Sequence, residues 1–167
     1  MKHLIIYGSS GNGAGKTMGV VNTLKEHLNA DLIDVSRCNL SFFDYAHSNK
    51  DDDFHGFAQQ MSCAENIIFA TPVYWYAMSA QLKVFFDRLS DLITIRKPLG
   101  RQLESKAMTF VATGHDELIP EGFDVPFKRT AEYFNMHYKR GLYICTSSKV
   151  YDLKKVEDMV VQFVKNL

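Results

Sequence analysis

The sequence predicts an α/β domain: a five-stranded parallel sheet in the order 2-1-3-4-5, with helices on both faces. Three observations carry that expectation. Short apolar runs alternate along the chain with segments of helical periodicity. The runs are apolar on both faces, as in a sheet covered on both sides. No repeat, low-complexity tract or linker interrupts the order, so about five βα units follow one another over residues 1–167 as a single domain. Right-handed crossovers limit how such a sheet can be wound. Its ligand crevice lies at the carboxyl ends of the first and third strands, where the winding reverses.

The expected strands are His3–Tyr7, Asp31–Val35, Asn66–Ala70, Lys106–Thr113 and Gly141–Cys145. A glycine loop follows the first, and Val21, Leu24 and Leu28 then mark one face of a first helix. A weaker helix over Asp51–Ala64 carries Phe54, Phe57, Ala58 and Met61. The clearest helix runs from Ser79, a suitable N-cap, to Ile93; Leu82, Phe85, Phe86, Leu89 and Ile93 recur at helical spacing. Another lies around Phe127–Phe134. The last starts near Asp152 and aligns Val156, Met159, Val160, Phe163 and Leu167.

Composition excludes several classes. Nineteen basic and nineteen acidic residues balance, so nothing favours a nucleic-acid or membrane-surface partner. No apolar run approaches the roughly 20 residues that span a bilayer. The N-terminal run reads as a first strand and not a signal peptide. Cys38, Cys63 and Cys145 are far apart, odd in number and without C-x-x-C spacing, which fits thiols in a reducing cytoplasm better than disulfides, zinc or an iron–sulfur cluster.

Chemistry is expected in the loops after strands one, three and four. The first, Gly8-Ser-Ser-Gly-Asn-Gly-Ala-Gly-Lys-Thr17, leads into a helix whose unpaired N–H groups and partial positive charge suit an anion. Its Gly15-Lys16-Thr17 ending resembles a nucleotide-triphosphate loop, but Ser10 stands where that loop needs glycine, and the strand Asn66–Ala70 ends in Thr71-Pro72 without the acid that would help hold magnesium. A phosphate monoester fits better than ATP. A flexible Gly/Ser turn without a ligand is the plain alternative. After the third strand, Tyr74-Trp-Tyr76 sets three adjacent aromatics at the crevice, where a flat heteroaromatic ligand could lie against them. Packing onto a neighbouring helix or a second subunit is the competing reading.

The stretch Thr71-Pro-Val-Tyr-Trp-Tyr-Ala-Met-Ser-Ala-Gln-Leu-Lys-Val-Phe-Phe-Asp-Arg88 closely resembles the flavodoxin-like NAD(P)H-dependent FMN reductases and quinone reductases, and Gly8-Ser9 with Gly15-Lys16-Thr17 resembles their phosphate loop. The resemblance covers the chain from end to end. It implies a flavodoxin-like three-layer sandwich holding FMN. Ser9, Ser10, Asn12, Gly15, Lys16 and Thr17 would surround the phosphate. Pro72, Val73, Tyr74 and Trp75 would line the isoalloxazine ring, and Thr113-Gly114-His115 would meet its pyrimidine edge. His115 stands where a second glycine is common, so flavin contact and solvent exposure are both open to it. Lys16 has two readings as well: reaching the phosphate or pointing into solvent. Lys83, Asp87 and Arg88 read as ion-pair or subunit-contact residues rather than catalytic ones.

The implied activity is ping-pong hydride transfer from NADPH or NADH, through FMN, to a small acceptor such as a quinone, free flavin or azo compound. No catalytic side chain and no metal are expected. A flavodoxin-type electron carrier is the alternative, disfavoured by the neutral charge because such carriers are expected to be acidic; a P-loop kinase is a more distant one. Specificity for NADPH would need a placed cation, and Arg37, Arg96, Lys97 and Arg101 are all loop candidates. A cytoplasmic homodimer is expected, with Tyr76, Met78 and Phe85 supplying bulk near its axis.

Overall fold

The computed structural model describes residues 1–11 and 15–167. Its strands are β1 (His3–Tyr7), β2 (Asp31–Asp34), β3 (Asn66–Tyr74), β4 (Ala77–Met78), β5 (Ala107–Gly114), β6 (His137–Tyr138) and β7 (Leu142–Cys145). Its α-helices are α1 (Lys16–Leu28), α2 (Phe54–Cys63), α3 (Ala80–Arg88), α4 (Lys97–Arg101), α5 (Val125–Tyr133) and α6 (Leu153–Val164). β2, β1, β3 and β5 lie side by side in parallel, and both β6 and β7 pair parallel with β5. The expected order 2-1-3-4-5 therefore holds for five positions in the sheet, although the strand segments number seven.

The two extra segments have local causes. β4 is a two-residue antiparallel return at the end of β3. β6 and β7 share the fifth position but are split by a bulge: Met108 faces Tyr138 and Val111 faces Leu142, so three steps on β5 span four on its partner. Inside the split, the Thr109 hydroxyl donates to the Arg140 carbonyl at 3.2 Å and the Lys139 N–H donates to the Met108 carbonyl at 2.8 Å.

Alternation along the central strands divides the core. Leu4, Ile6, Ile67, Phe69, Met108 and Phe110 face α2, α3 and α5, while Ile5, Tyr7, Ile68, Ala70 and Val111 face α1 and α6. On the first face the phenylalanines interlock, with Phe110 stacked on Phe127 at 4.8 Å and Phe86 edge-on to Phe127 at 5.3 Å. Helix ends follow sequence chemistry. Asp152 caps α6 by accepting from Lys155 N–H at 2.9 Å, and Asn29 ends α1 in the left-handed conformation at φ 48°.

The helix expected over Ser79–Ile93 is a true α-helix only as far as Arg88; Leu89–Ile93 tightens to a 3-10 turn. A 3-10 turn aligns residues three apart, which helps bring Asp91 onto Arg88. The Arg88 guanidinium, 1% exposed, donates through Nε to Asp91 Oδ2 at 3.0 Å, pairs with Asp52 and donates to the Ser41 carbonyl at 3.2 Å. His47 Nδ1 lies 3.0 Å from Asp91 Oδ1, and Asp52 also accepts from Ser41 N–H at 2.9 Å and Phe54 N–H at 3.1 Å. The cluster pins the segment 38–53 between the 3-10 turn Val35–Arg37 and α2. Burial alone would raise the Asp52 pKa, but the Arg88 hydrogen bond, the two backbone N–H groups and the Arg88 charge outweigh it and hold the carboxyl below its usual range. Lys83 and Asp87, by contrast, form a surface pair at 2.5 Å.

Replacing Arg88 by Met strands two buried carboxylates and should cost about 3–5 kcal/mol in urea unfolding at neutral pH. The Asp52 contribution is complete above its ordinary pKa and is lost as pH falls through its lower folded value. Asp52→Asn should therefore flatten that part of the acid limb in a stability-versus-pH series.

Candidate functional site

The crevice between β1 and β3 is closed at its floor by α3. Ser79, the buried N-cap of α3, receives the Leu82 N–H on its hydroxyl oxygen at 3.3 Å and donates its proton to the Gly8 carbonyl at 2.7 Å. Its own N–H donates to Thr71 Oγ1 at 2.9 Å. These bonds fasten the ends of β1 and β3 to one helix. The approach is close enough that a Cβ on Gly8 would sit 2.8 Å from both the Cβ and the backbone nitrogen of Leu82, so only glycine fits there.

The loop after β1 rises from this floor. Ser9 is buried and its Oγ accepts from the Gly11 N–H at 3.3 Å. Ser10 is exposed and donates to the Tyr74 hydroxyl at 3.1 Å, joining the first loop to the aromatic one. Asn12 lies outside the described residues. Gly15 takes φ 117° as the N-cap of α1, a conformation that favours glycine, and offers no side-chain cap; the first turn of α1 also carries no acidic residue. Thr17 turns inward, with Oγ1 2.6 Å from Thr113 Oγ1 and both side chains buried. Lys16 reaches across the site to donate to the Thr146 carbonyl, and its ammonium lies 4.5 Å from the centre of the Tyr151 ring. Nothing local in the sequence points to these two partners, which stand some 130 residues away in the segment between β7 and α6.

The aromatic loop is a β-hairpin. Val73 faces Met78 and Tyr74 faces Ala77 across two connecting residues, Trp75 at φ 47° and Tyr76 at φ 67°. Two positive φ angles are what a two-residue hairpin of this hand needs, and glycine or asparagine normally supplies them. Here two bulky aromatics carry that strain. Trp75 is 93% exposed and Tyr76 69%. Pro72 pairs in register with Thr113, and Val73 packs partly on the core. Met78 and Phe85, expected near a subunit axis, are 8% and 0% exposed within this chain, because β4 folds back and that face of α3 points into the core. Tyr76 alone of the three stays accessible.

The third wall is the end of β5. Thr113 and Gly114 are buried and His115 is exposed. The Gly114 carbonyl accepts from the Thr146 N–H at 2.6 Å and its hydroxyl at 2.9 Å, while Tyr143 donates to the Asp116 carbonyl at 2.7 Å. Of the cations considered for nucleotide selectivity, Arg37 lies just after β2 at the crevice end and pairs with Asp34 at 3.2 Å. Arg96, Lys97 and Arg101 precede the amino end of β5.

The donor set fits FMN. Among the described residues the amino end of α1 bears no side-chain cap and its first turn holds no acid. Both suit a phosphate, and an exposed aromatic hairpin with an adjoining backbone edge suits a flat ring.

An α/β sheet with its crevice at this switch point, a helix amino end after β1 and an exposed aromatic hairpin after β3 has the arrangement of a flavodoxin-like protein. Residues 1–119 match the NADPH-dependent FMN reductase family, and the chain belongs to it. The family and the FMN cofactor expected from the sequence are thus borne out, and the phosphoryl-transfer reading loses its support. One curated relative is 31% identical over 94 residues; it is a Bacillus subtilis (strain 168) protein with the provisional name NAD(P)H-dependent FMN-containing oxidoreductase YwqN. The match covers 53% of this chain and 51% of that one, so the chain spans about half the length of the curated relative. Among solved structures, the Trp repressor binding protein from Bacillus subtilis aligns over 99% of both chains at 21% identity and TM-score 0.77. An NADPH-quinone reductase from P. pentosaceus aligns over 100% of this chain and 99% of its own at 17% identity and TM-score 0.74. General stress protein 14 from Treponema denticola, solved in complex with FMN, aligns over 99% and 97% at 14% identity and TM-score 0.72. These likenesses establish the flavodoxin-like fold.

The hairpin strain is measurable. Replacing Trp75 by Asn together with Tyr76 by Gly should raise stability by about 1–2 kcal/mol in thermal or urea unfolding. If the aromatic pair serves a ligand rather than the fold, the same variant should bind FMN about tenfold more weakly by fluorescence titration.

Proposed function

We propose that residues 1–167 form one FMN-binding domain that works as an NAD(P)H-dependent oxidoreductase. The observation that carries this reading is the strained, solvent-facing Trp75-Tyr76 hairpin, joined through Tyr74 to Ser10 of the loop that leads to α1. Backbone strain of this kind persists where surrounding structure holds it for a purpose, and exposed aromatics there do little for the core.

When bound, FMN supplies the hydride relay, accepting from NADPH or NADH and passing reducing equivalents to a small acceptor such as a quinone, a free flavin or an azo compound. The protein binds and orients. Ser9, Ser10, Gly15 and Thr17 line the phosphate seat, with Asn12 and Lys16 in the same loop. Pro72, Val73, Tyr74 and Trp75 form the ring wall, and Thr113, Gly114 and His115 supply the edge that meets the pyrimidine. Thr17 and Thr113 share a buried hydroxyl contact at 2.6 Å, so the phosphate side and the pyrimidine side are set as one rigid unit. Backbone groups along that edge would orient the pyrimidine side of the ring. No side chain need take or give a proton for hydride transfer itself.

Among the described residues no helix is long and apolar enough to cross a membrane. We place the protein in the cytoplasm as a homodimer, with the exposed Tyr76 near the subunit contact. The purified protein should be yellow, release FMN on denaturation, and bleach on stopped-flow mixing with NADPH or NADH. Flavin bands that no nicotinamide bleaches would instead indicate an electron carrier, and a colourless protein that FMN does not titrate would end the reading.

A further inference from the structure

Lys16 and Thr17 open α1, and both reach the carboxyl ends of β5 and β7. Thr17 does so from inside, with its Oγ1 2.6 Å from Thr113 Oγ1 and both side chains buried. Lys16 does so from the solvent side. Its ammonium donates to the Thr146 carbonyl and lies 4.5 Å from the centre of the Tyr151 ring. The amino end of a helix disfavours a cation. A carbonyl oxygen and the face of an aromatic ring offset that cost.

Thr146 passes the contact on. Its N–H donates to the Gly114 carbonyl at 2.6 Å and its hydroxyl donates to the same oxygen at 2.9 Å. The next two carbonyls are held from β7 as well: the Cys145 thiol donates to that of His115 at 3.4 Å, and the Tyr143 hydroxyl to that of Asp116 at 2.7 Å. A Cβ on Gly114 would sit 2.5 Å from the Tyr143 hydroxyl oxygen, so the run lies against β7 without spare room. Three successive carbonyls after β5 are thus tied to Thr146, Cys145 and Tyr143, and Thr146 is tied in turn to Lys16.

We propose that Lys16 is a positioning residue for the flavin ring: it acts through Thr146 to hold the edge formed by residues 114–116, and it is not a phosphate ligand. The inference rests on the FMN reading above and changes the part that the Gly15-Lys16-Thr17 ending plays in it. A phosphate-loop lysine meets its anion as a point charge. This ammonium has a carbonyl and a π face for partners, and it would have to leave both to reach an anion. Tyr151 belongs to the same device, as the ring that keeps the ammonium at Thr146.

The test uses apo-protein of the wild type, Lys16→Met, Tyr151→Leu and the double variant. Each is titrated with FMN and with riboflavin, which has the same ring and no phosphate. The titrations run in about 1 M salt, where a Debye length of roughly 3 Å suppresses the pull of a charge at a distance. Lys16→Met should weaken both flavins by the same factor, about three- to tenfold. Tyr151→Leu should weaken both by about two- to threefold, and Lys16→Met should cost less in that background than alone. A loss confined to FMN overturns the proposal, because Lys16 then meets the phosphate. Unchanged binding of both flavins by Lys16→Met overturns it too, as does full additivity of the two substitutions. If Lys16→Met does not fold, the same two-flavin comparison on Tyr151→Leu decides the matter. Wild-type protein that binds neither flavin is a different result, which removes the FMN reading and this inference with it.

Discussion

The Ser79 hydroxyl is the constraint on which the crevice depends. One oxygen caps α3 and donates to the Gly8 carbonyl, while the same residue's N–H is held by Thr71. The start of α3, the end of β1 and the strand β3 are thereby tied to one another. Gly8 is part of the same constraint, since the contact with Leu82 leaves no space for a side chain. A hydrogen bond of this kind contributes about 1 kcal/mol by itself. Its weight comes from the number of elements it aligns.

Two regions resolve polar burial in opposite ways. Around Arg88, every buried charge has partners: Asp52 and Asp91 flank the guanidinium, and backbone carbonyls and N–H groups complete the shell. Such a cluster holds a long segment in one conformation, and its charges tolerate burial because none is left alone. At the end of β1 the opposite holds, with Tyr7 and the head of α1 showing donors that the described residues do not use. Fully satisfied polar groups maintain a fold, whereas an unsatisfied buried one costs it stability.

The alternation of apolar runs and helical stretches made the layers and strand order legible, because both depend on short-range periodicity. Ser79 was legible as a cap for the same local reason. The 3-10 turn at Leu89–Ile93 was not, since the apolar spacing continues through it and only the meeting of Arg88 with Asp91 and the segment 38–53 departs from it. In the site, the three loops follow from topology, and the aromatic stretch marks the exposed hairpin after β3. The strain in Trp75 and Tyr76 could have been foreseen only from the absence of glycine or asparagine between two pairing strands. The partners of Lys16 and the isolation of the Tyr7 hydroxyl are products of tertiary packing, for which a linear pattern carries no signal. Met78 and Phe85, which the sequence offered as bulk near a subunit axis, are buried in this chain's own core.

The split between β6 and β7 bears on how this chain behaves in a crowded solution. These segments pair on one side only, leaving the fifth position of the sheet as an open edge. An unbroken, flat edge is a template on which strands from other molecules can add, one after another, toward fibrils. Here the extra residue interrupts the row of free N–H and C=O groups, and Lys139 and Arg140 put two cations at the break. No incoming strand can follow β6 into β7 without losing step. The bulge thus lets the chain keep a free edge that is a poorer template for polymerisation.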